Sequence, residues 1–520
     1  MVNATELPIN TGATALDMAN EIFGGGVAIV SASYSGAAGS SGIYSDGDAV
    51  SPGVVPGDTG IILSTGNATD FTNTTGEANQ ATNTSSNTAG VDNDADFNAL
   101  AGRATFDASF LTIDFIPTGG TLTMQFVFGS DEYPEYSNSI YNDAVGVWIN
   151  GSNVPLSVGT GQSSIGNVNQ NNNVNLYNDN TADQFNTEMD GFTVTLTLTI
   201  NVTPNVVNTL KVGIADVGDS SFDSNLLIAA GSLQTEIVAN DDTLEMQPNK
   251  FKDIDVTAND TNTAPGSLTI THINGQPVVV GTTITLPTGE TVTLQVNGWL
   301  RVGTDTDFDD VNFTYTIENS NGQTDTGIVN LDTIPCFVSG TLIETETGER
   351  LVETLRPGDR IRTRDNGYQP LRWTGQRVVQ GQGKLAPIRM LDGALGNHRT
   401  LMVSPNHRVL LEDARAEILF GEPEVLVSAK HLVNDCSIRP VESAEVAYVH
   451  LLFEDHQVVY SEGLATESFL PGPQTVGSFE AEIMEELAEI FTEFDAQSGT
   501  GYGPAAKRVL KAHEADLLRA

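Results

Sequence analysis

Cysteine is nearly absent from this 520-residue chain; there are two, Cys336 and Cys436. Two thiols exclude a disulfide scaffold. Basic residues are scarce as well, 23 Lys and Arg against 67 Asp and Glu, for a formal net charge of −44. A surface so acidic repels phosphate, which argues against nucleic acid and anionic membrane as partners. No apolar run approaches the ~20 residues of a bilayer-spanning helix. The opening Met1-Val2-Asn3-Ala4-Thr5-Glu6-Leu7-Pro8 has neither a basic nor an apolar segment, so no Sec-type leader is expected there. Two expectations remain, a cytoplasmic chain or export by a route that reads no N-terminal signal. The acidic composition, rich in Gly, Asn and Thr, favours the second and an extracellular or cell-surface location.

What is present is unevenly spread. Of the Lys and Arg residues only Arg103, Lys211, Lys250, Lys252 and Arg301 precede Cys336, and of the seven His only His272 does. Cys336 therefore opens the single basic, His-bearing region, directly after Pro335. A thiol so placed reads as a nucleophile, and a small buried apolar side chain is the competing reading. Cys436 reads as a buried thiol, ahead of an acyl acceptor or a disulfide partner of Cys336. The length allows three or four domains, each with its own core.

Residues 1–235 read as all-β. Runs rich in β-branched residues at 111–115, 122–128, 144–149, 192–202, 210–215 and 226–230 alternate with Gly, Asn and Asp clusters. Many such strands suggest a β-sandwich or jelly roll. The polar stretch 65–96 reads as a long loop. Phe128-Gly-Ser-Asp-Glu-Tyr-Pro-Glu-Tyr136, Tyr141-Asn-Asp-Ala-Val-Gly-Val-Trp-Ile149 and Asp223-Ser-Asn-Leu-Leu-Ile-Ala-Ala-Gly231 resemble the choice-of-anchor L domain of bacterial surface proteins. That resemblance implies a surface module, with an unidentified cell-surface or matrix ligand and no enzymatic activity. Asp131, Glu132, Asn142 and Asp143 supply hard oxygen ligands that turns could bring onto Ca²⁺, and turn-forming acids are the equal alternative.

Residues 236–335 form a second, small β unit. Val238-Ala-Asn-Asp-Asp242, Asp255-Val-Thr-Ala-Asn-Asp260 and Phe313-Thr-Tyr-Thr-Ile317 resemble one cadherin-like or immunoglobulin-like repeat of bacterial adhesins. In that family Asp and Asn at module junctions often hold calcium, which falls here on Asn240, Asp241, Asp242, Asn259 and Asp260. Asp305-Thr-Asp-Phe-Asp309 fails as an EF-hand loop, since its sixth position is Asp310 rather than Gly and its twelfth is Thr316 rather than Glu.

Beyond Cys336 short strands are again expected, at 341–345, 360–363, 371–373, 401–403, 408–411, 446–453 and 457–460. Cys336-Phe-Val-Ser-Gly-Thr-Leu-Ile-Glu-Thr345, Leu355-Arg-Pro-Gly-Asp359 and Ser404-Pro-Asn-His407 together resemble a Hedgehog/intein (Hint) domain over residues 336–470. The resemblance implies that Cys336 attacks the carbonyl of Pro335 to form a thioester. It also implies that His407 protonates the departing amide nitrogen, with Ser404 standing where the family has Thr. Asp455 and His456 occupy a second catalytic block, to activate water or orient the first His. The residue types suit the task. A thiolate is a strong nucleophile at neutral pH, an imidazole titrates there, and a hydroxyl could stabilise the oxyanion.

His398, His431 and His450 read as structural. The chain continues past Leu464-Ala-Thr-Glu-Ser-Phe-Leu-Pro471 with no terminal Asn, so splicing is not expected. Cleavage at Pro335–Cys336 remains, with water or another nucleophile as acyl acceptor and no cofactor. In the tail, Phe479, Ile483, Met484, Leu487, Ile490, Phe491 and Phe494 recur at helical spacing, and a second short helix is expected over 505–518. The expected organisation is all-β and multidomain, with residues 1–235, 236–335 and 336–470 as three β domains and 471–520 as a helical tail.

Overall fold

The structure is a computed structural model. It describes residues 2–81, 83–137, 143–158, 161–162, 167–246, 250–304, 311–332, 336–381, 386–434, 436–470 and 503–510, with 515 and 518. The chain forms two compact units, one of Met1–Asp242, Asp253–Arg301 and Val311–Asn330, the other of Thr243–Lys252, Val302–Asp310 and Leu331–Ala520.

In the first unit an antiparallel sheet runs in the order Val27–Ser35, Thr105–Pro117, Asn208–Val217, Ala144–Ile149, Ser152–Asn153. The facing sheet runs Ile9–Asn10, Ser41–Tyr44, Gly60–Ser64, Ser224–Ala229, Thr121–Ser130, Gly191–Thr193, Tyr177–Asp179, with Leu196–Asn201 also paired to Thr121–Ser130. Leu111, Ile113 and Phe115 of the first meet Leu122, Met124, Phe126 and Phe128 of the second in one core, as the two-residue period requires. The second sheet is buried on its other face too. There Val127 and Leu227 join Phe71, Met189 and Phe192. Phe71 belongs to the 3₁₀ turn Ala68–Phe71, so part of the stretch expected as a polar loop is the lid on this face.

The strand expected over 192–202 is broken in two. Gly191 and Phe192 pair with Ser130 and Gly129, but Leu196 pairs with Phe126, a slip of one residue. Thr193 Oγ1 accepts the Phe128 N–H at 3.1 Å where a main-chain carbonyl would otherwise stand. The small β unit has Val311–Glu318 between Thr324–Asp332 and Thr269–Ile273, over a second sheet that includes Leu300–Gly303, Thr291–Leu294 and Thr283–Thr285.

The second unit holds two further sheets. One runs Trp373–Gly381, Ser443–Leu452, Phe337–Val338, Leu401–Val403, Ile388–Met390, Ile438–Pro440. The other runs Tyr368–Pro370, Arg360–Arg362, Leu342–Thr345, Val458–Ser461, Leu464–Glu467, Arg408–Glu412, Glu424–Ser428, Arg508–Val509. Phe337, Val403 and Val449 of the first pack with Ile343, Val409 and Val459 of the second. Within the helix expected over 505–518, Ala515 and Leu518 are helical, 511–514, 516 and 517 lie outside the described residues, and the start is not helical. Arg508–Val509 is a strand, parallel to Val425–Leu426, and Leu510 is buried in the core. The apolar stripe from Phe479 to Phe494 lies outside the described residues. Among the described residues no helix is long and apolar enough to cross a membrane.

Candidate active site

Strand register builds the site. Phe337 pairs antiparallel with Val403 on one side and with Val449 on the other. Stepping back one residue along the central strand places Cys336 between Ser404 and His450, one row across three neighbours. The Cys336 N–H donates to Ser404 Oγ at 2.7 Å, and the Ser404 N–H returns to the Cys336 carbonyl at 2.9 Å. The Cys336 sulfur lies 3.5 Å from His450 Nε2 and 3.7 Å from Nδ1. All three side chains are buried, with Cys336 among Val338, Val446 and Tyr448. Opposite His450 on the edge strand stands Gly375, where a Cβ would lie 2.2 Å from the Trp373 ring. The glycine lets that indole lie within 6.5 Å of the imidazole, and Phe469 meets its edge at 5.3 Å.

The imidazole at the sulfur is thus His450, which reads from sequence as structural, and not His407. His407 packs edgewise on Phe337, ring centroids 4.4 Å apart, and its N–H bonds the Ser404 carbonyl at 3.1 Å. Among the described residues neither of its ring nitrogens has a hydrogen-bond partner. Burial, with the Arg408 charge, holds His407 down to about 4 against the pull of Glu467. Ser404 Oγ accepts from the junction nitrogen, which leaves its own O–H to donate. Pro335 lies outside the described residues.

The second block divides, with His456 near enough to His407 for the two to feel each other's charge. Asp455 is exposed, and its carbonyl accepts from Gln457. His456 is buried and pins two segments: the Ala506 N–H donates to its Nδ1 at 2.9 Å, and Nε2 faces the Ser468 carbonyl at 3.1 Å. Nε2 is also 3.5 Å from Glu467. Sequence reading missed Glu467 altogether. Its carboxylate takes the Arg408 N–H at 2.8 Å and the Arg408 guanidinium at 3.0 Å. Burial alone would push it up, but Arg408 and His456 hold it down to about 2. Cys436 is exposed rather than buried, and neither cysteine is in a disulfide.

Of the residues expected to hold calcium, Asn240, Asp241, Asp242, Asn259 and Asp260 stand together, whereas Asp131 parts from Glu132 and Asp143. Asn142 lies outside the described residues. Glu132 feels Asp143, and burial pushes both upward. Asp143 accepts from Ser224 Oγ at 2.7 Å and Val217 N at 3.0 Å. The charges on Asp131 come instead from Asp190 and Asp223. Neighbours 131 and 132 serve different groups at the point where the strand Thr121–Ser130 ends and the chain turns. In the small β unit Asp241 Oδ1 accepts the Ile328 N–H at 3.2 Å. Asp260 takes the Asn240 N–H at 2.7 Å and lies 3.1 Å from the Tyr315 hydroxyl. Burial, and then the Asp260 charge, pushes Asp242 up to about 8. Among the described residues no three His, Cys, Asp or Glu side chains already stand in a metal-holding geometry.

Three family models match the chain. They are a choice-of-anchor L domain at residues 8–234, a bacterial Ig domain at 234–332 and a Hint domain at 335–473. Among solved structures, a splice-inactive variant of the AceL NrdHF class 3 split intein is 16% identical over 26% of this chain and 97% of its own, TM-score 0.19. The bacterial intein-like domain from Clostridium thermocellum is 14% identical over 26% and 97%, TM-score 0.18. The MchDnaB-1 intein is 14% identical over 25% and 98%, TM-score 0.18. No curated protein matches the chain.

Proposed function

We propose, for a chain that carries a choice-of-anchor L domain, a bacterial Ig domain and a Hint domain, that the Hint domain cuts its own backbone between Pro335 and Cys336. The observation that carries this reading is the row of Ser404, Cys336 and His450, which addresses both atoms of Cys336 that the reaction changes. His450 takes the thiol proton, and the sulfur attacks the carbonyl carbon of residue 335. The tetrahedral adduct collapses with loss of its C–N bond. The departing amine needs one proton, and the imidazolium of His450 holds the one the sulfur gave up. Ser404 Oγ keeps the N–H of that nitrogen oriented. His407, neutral at pH 7, packs behind Phe337 with no ring hydrogen bond among the described residues, and the proton for the amine does not need it. Water or an amine or hydroxyl nucleophile then resolves the thioester and frees residues 1–335.

Choice-of-anchor L and Ig domains suggest a surface or secreted protein. In this reading the released segment is the part that meets a cell-surface or matrix ligand, and export precedes cleavage. The test is expression of the full chain beside Cys336→Ala and Cys336→Ser, with intact masses taken before and after added thiol. Fragments ending at 335 and beginning at 336, lost in both variants, are expected. Full-length mass in all three, with thiol present, overturns the reading and leaves the Hint domain as a non-enzymatic structural or export-related cap on an adhesin.

A further inference from the structure

A second row of residues, in the choice-of-anchor L domain, is built like the first but from carboxylates. Ser130 pairs with Ser224 on one side and with Gly191 on the other. One residue beyond these pairs, three neighbouring strands therefore bring Asp223, Asp131 and Asp190 side by side. All three continue the face that carries Val127, Leu227 and Phe192, under the lid that holds Phe71. The Asp131 N–H bonds the Asp223 carbonyl at 3.2 Å, and the lid is laced to the row. The Asp223 N–H donates to Thr84 O at 2.9 Å, Ser86 N–H to Asp223 Oδ1 at 2.8 Å, and Asn79 Nδ2 to Asp190 Oδ1 at 2.7 Å.

Asp131, Asp190 and Asp223 are 1%, 0% and 3% exposed, which in a protein calls for a compensating charge or the loss of their own. The neighbouring charges are all acidic, and burial together with that repulsion outweighs the polar groups of Thr84, Asn79 and Ser86 and pushes Asp131 up to about 9 and Asp190 and Asp223 to about 6. Oxygens are left over. Both of Asp131, Oδ2 of Asp190, Oδ2 of Asp223 and the carboxamide oxygens of Asn79 and Asn225 lack hydrogen-bond partners among the described residues.

We infer that this row, with Asn79, Thr84 and Ser86 of the lid laced to it, is a site for one divalent cation of the calcium class, whose arrival draws in carboxylates that do not yet form a metal-holding group. Calcium takes six to eight oxygens, of which carboxylates need be only part, and tolerates irregular geometry. Asp131 is the central ligand, its neighbours contribute one oxygen each, and Asn79 and Asn225 add neutral donors. That assignment separates Asp131 from Glu132 and Asp143, with which its sequence groups it. The cation would tie the lid to the sheet, and so set the rigidity of the outer face of this domain.

The inference is independent of self-cleavage. Its test is calorimetric titration of the chelator-treated full chain with CaCl₂ and separately with MgCl₂, beside thermal unfolding and limited proteolysis of the lid. Saturable calcium heat, a rise in Tm and protection of 73–90 are expected. Asp131→Asn should weaken binding by at least about tenfold, since it removes the central charge. In chelator the same variant should unfold no earlier than the wild type, because an amide is not repelled by its neighbours. Absence of calcium heat and of a Tm shift in the wild type overturns the inference, as does undiminished binding in Asp131→Asn. If that variant is unstable, Asp190→Asn reads the same loss. Glu132→Gln should leave calcium binding unchanged, and a loss there would move the site away from the Asp131 row.

Discussion

Replacing His450 by Gln keeps a polar side chain against the Cys336 sulfur but removes its ability to take a proton. In water a free thiol titrates near ~8.5, so only about 3% is thiolate at pH 7 and about 75% at pH 9. A positioned base contributes about 10²–10⁴-fold. The contact here is long, 3.5 Å, and the low end of that range is the appropriate one. His450→Gln should therefore slow thioester formation about 100-fold at pH 7, or about 2.7 kcal/mol. By pH 9 the self-ionised fraction has risen about 25-fold, and the deficit should shrink to about fourfold. The assay is the rate of cleavage of the purified full chain at each pH, with the thioester trapped by excess thiol and counted by intact mass. A deficit that is the same at pH 7 and pH 9 would mean that His450 packs the site without moving a proton. No deficit at all would remove it from the chemistry.

Four further outcomes follow from the same unit. Ser404→Ala should lower the cleavage rate while Ser404→Thr restores it, because only the hydroxyl oxygen on the Cys336 N–H is lost in the first; equal rates in both would dismiss that bond. His407 is held at about 4, below the 6.5 of an unburied ring, which contributes about 3 kcal/mol present above pH 6.5 and lost as pH falls towards 4. Near-ultraviolet circular dichroism on the Cys336→Ala chain should show that decline, and His407→Phe should flatten it. Glu467→Gln removes a fully buried carboxylate from Arg408, whose side chain is 22% exposed, and should cost about 1.5–3 kcal/mol in denaturant unfolding, a loss under 1 kcal/mol showing the pair to be dispensable. Leu510→Ala should cost about 2–4 kcal/mol, since this tail residue is 2% exposed; no change in unfolding midpoint would detach the tail from the core.

The sequence reading reached the fold further than it reached the site. Strand positions at 144–149 and 401–403 coincide with Ala144–Ile149 and Leu401–Val403, because alternating and apolar runs are local facts of sequence. It erred where long-range partners intervened. The 192–202 run is split by a one-residue slip that only its partner strand imposes, and Arg508–Val509, at the start of the expected second helix, is a strand because the sheet edge at Glu424–Ser428 receives it. At the site, Cys336, Ser404 and His407 stood out from motif spacing. His450 did not, since nothing within Val449-His450-Leu451 distinguishes a histidine facing sulfur from one facing a hydrophobic wall.

From the chain alone came the composition border at Cys336, the β character of three successive modules and the family each resembles, since these depend on residue identity and short-range period. Which imidazole touches the thiol, and which acids stand beside Asp131, were decided by register. A shift of one residue in the pairing of Phe337 or of Ser130 would put different side chains in each row. Register is an agreement between strands that lie more than 60 residues apart in the chain, settled by the packing of both faces at once, and no stretch of sequence carries it by itself.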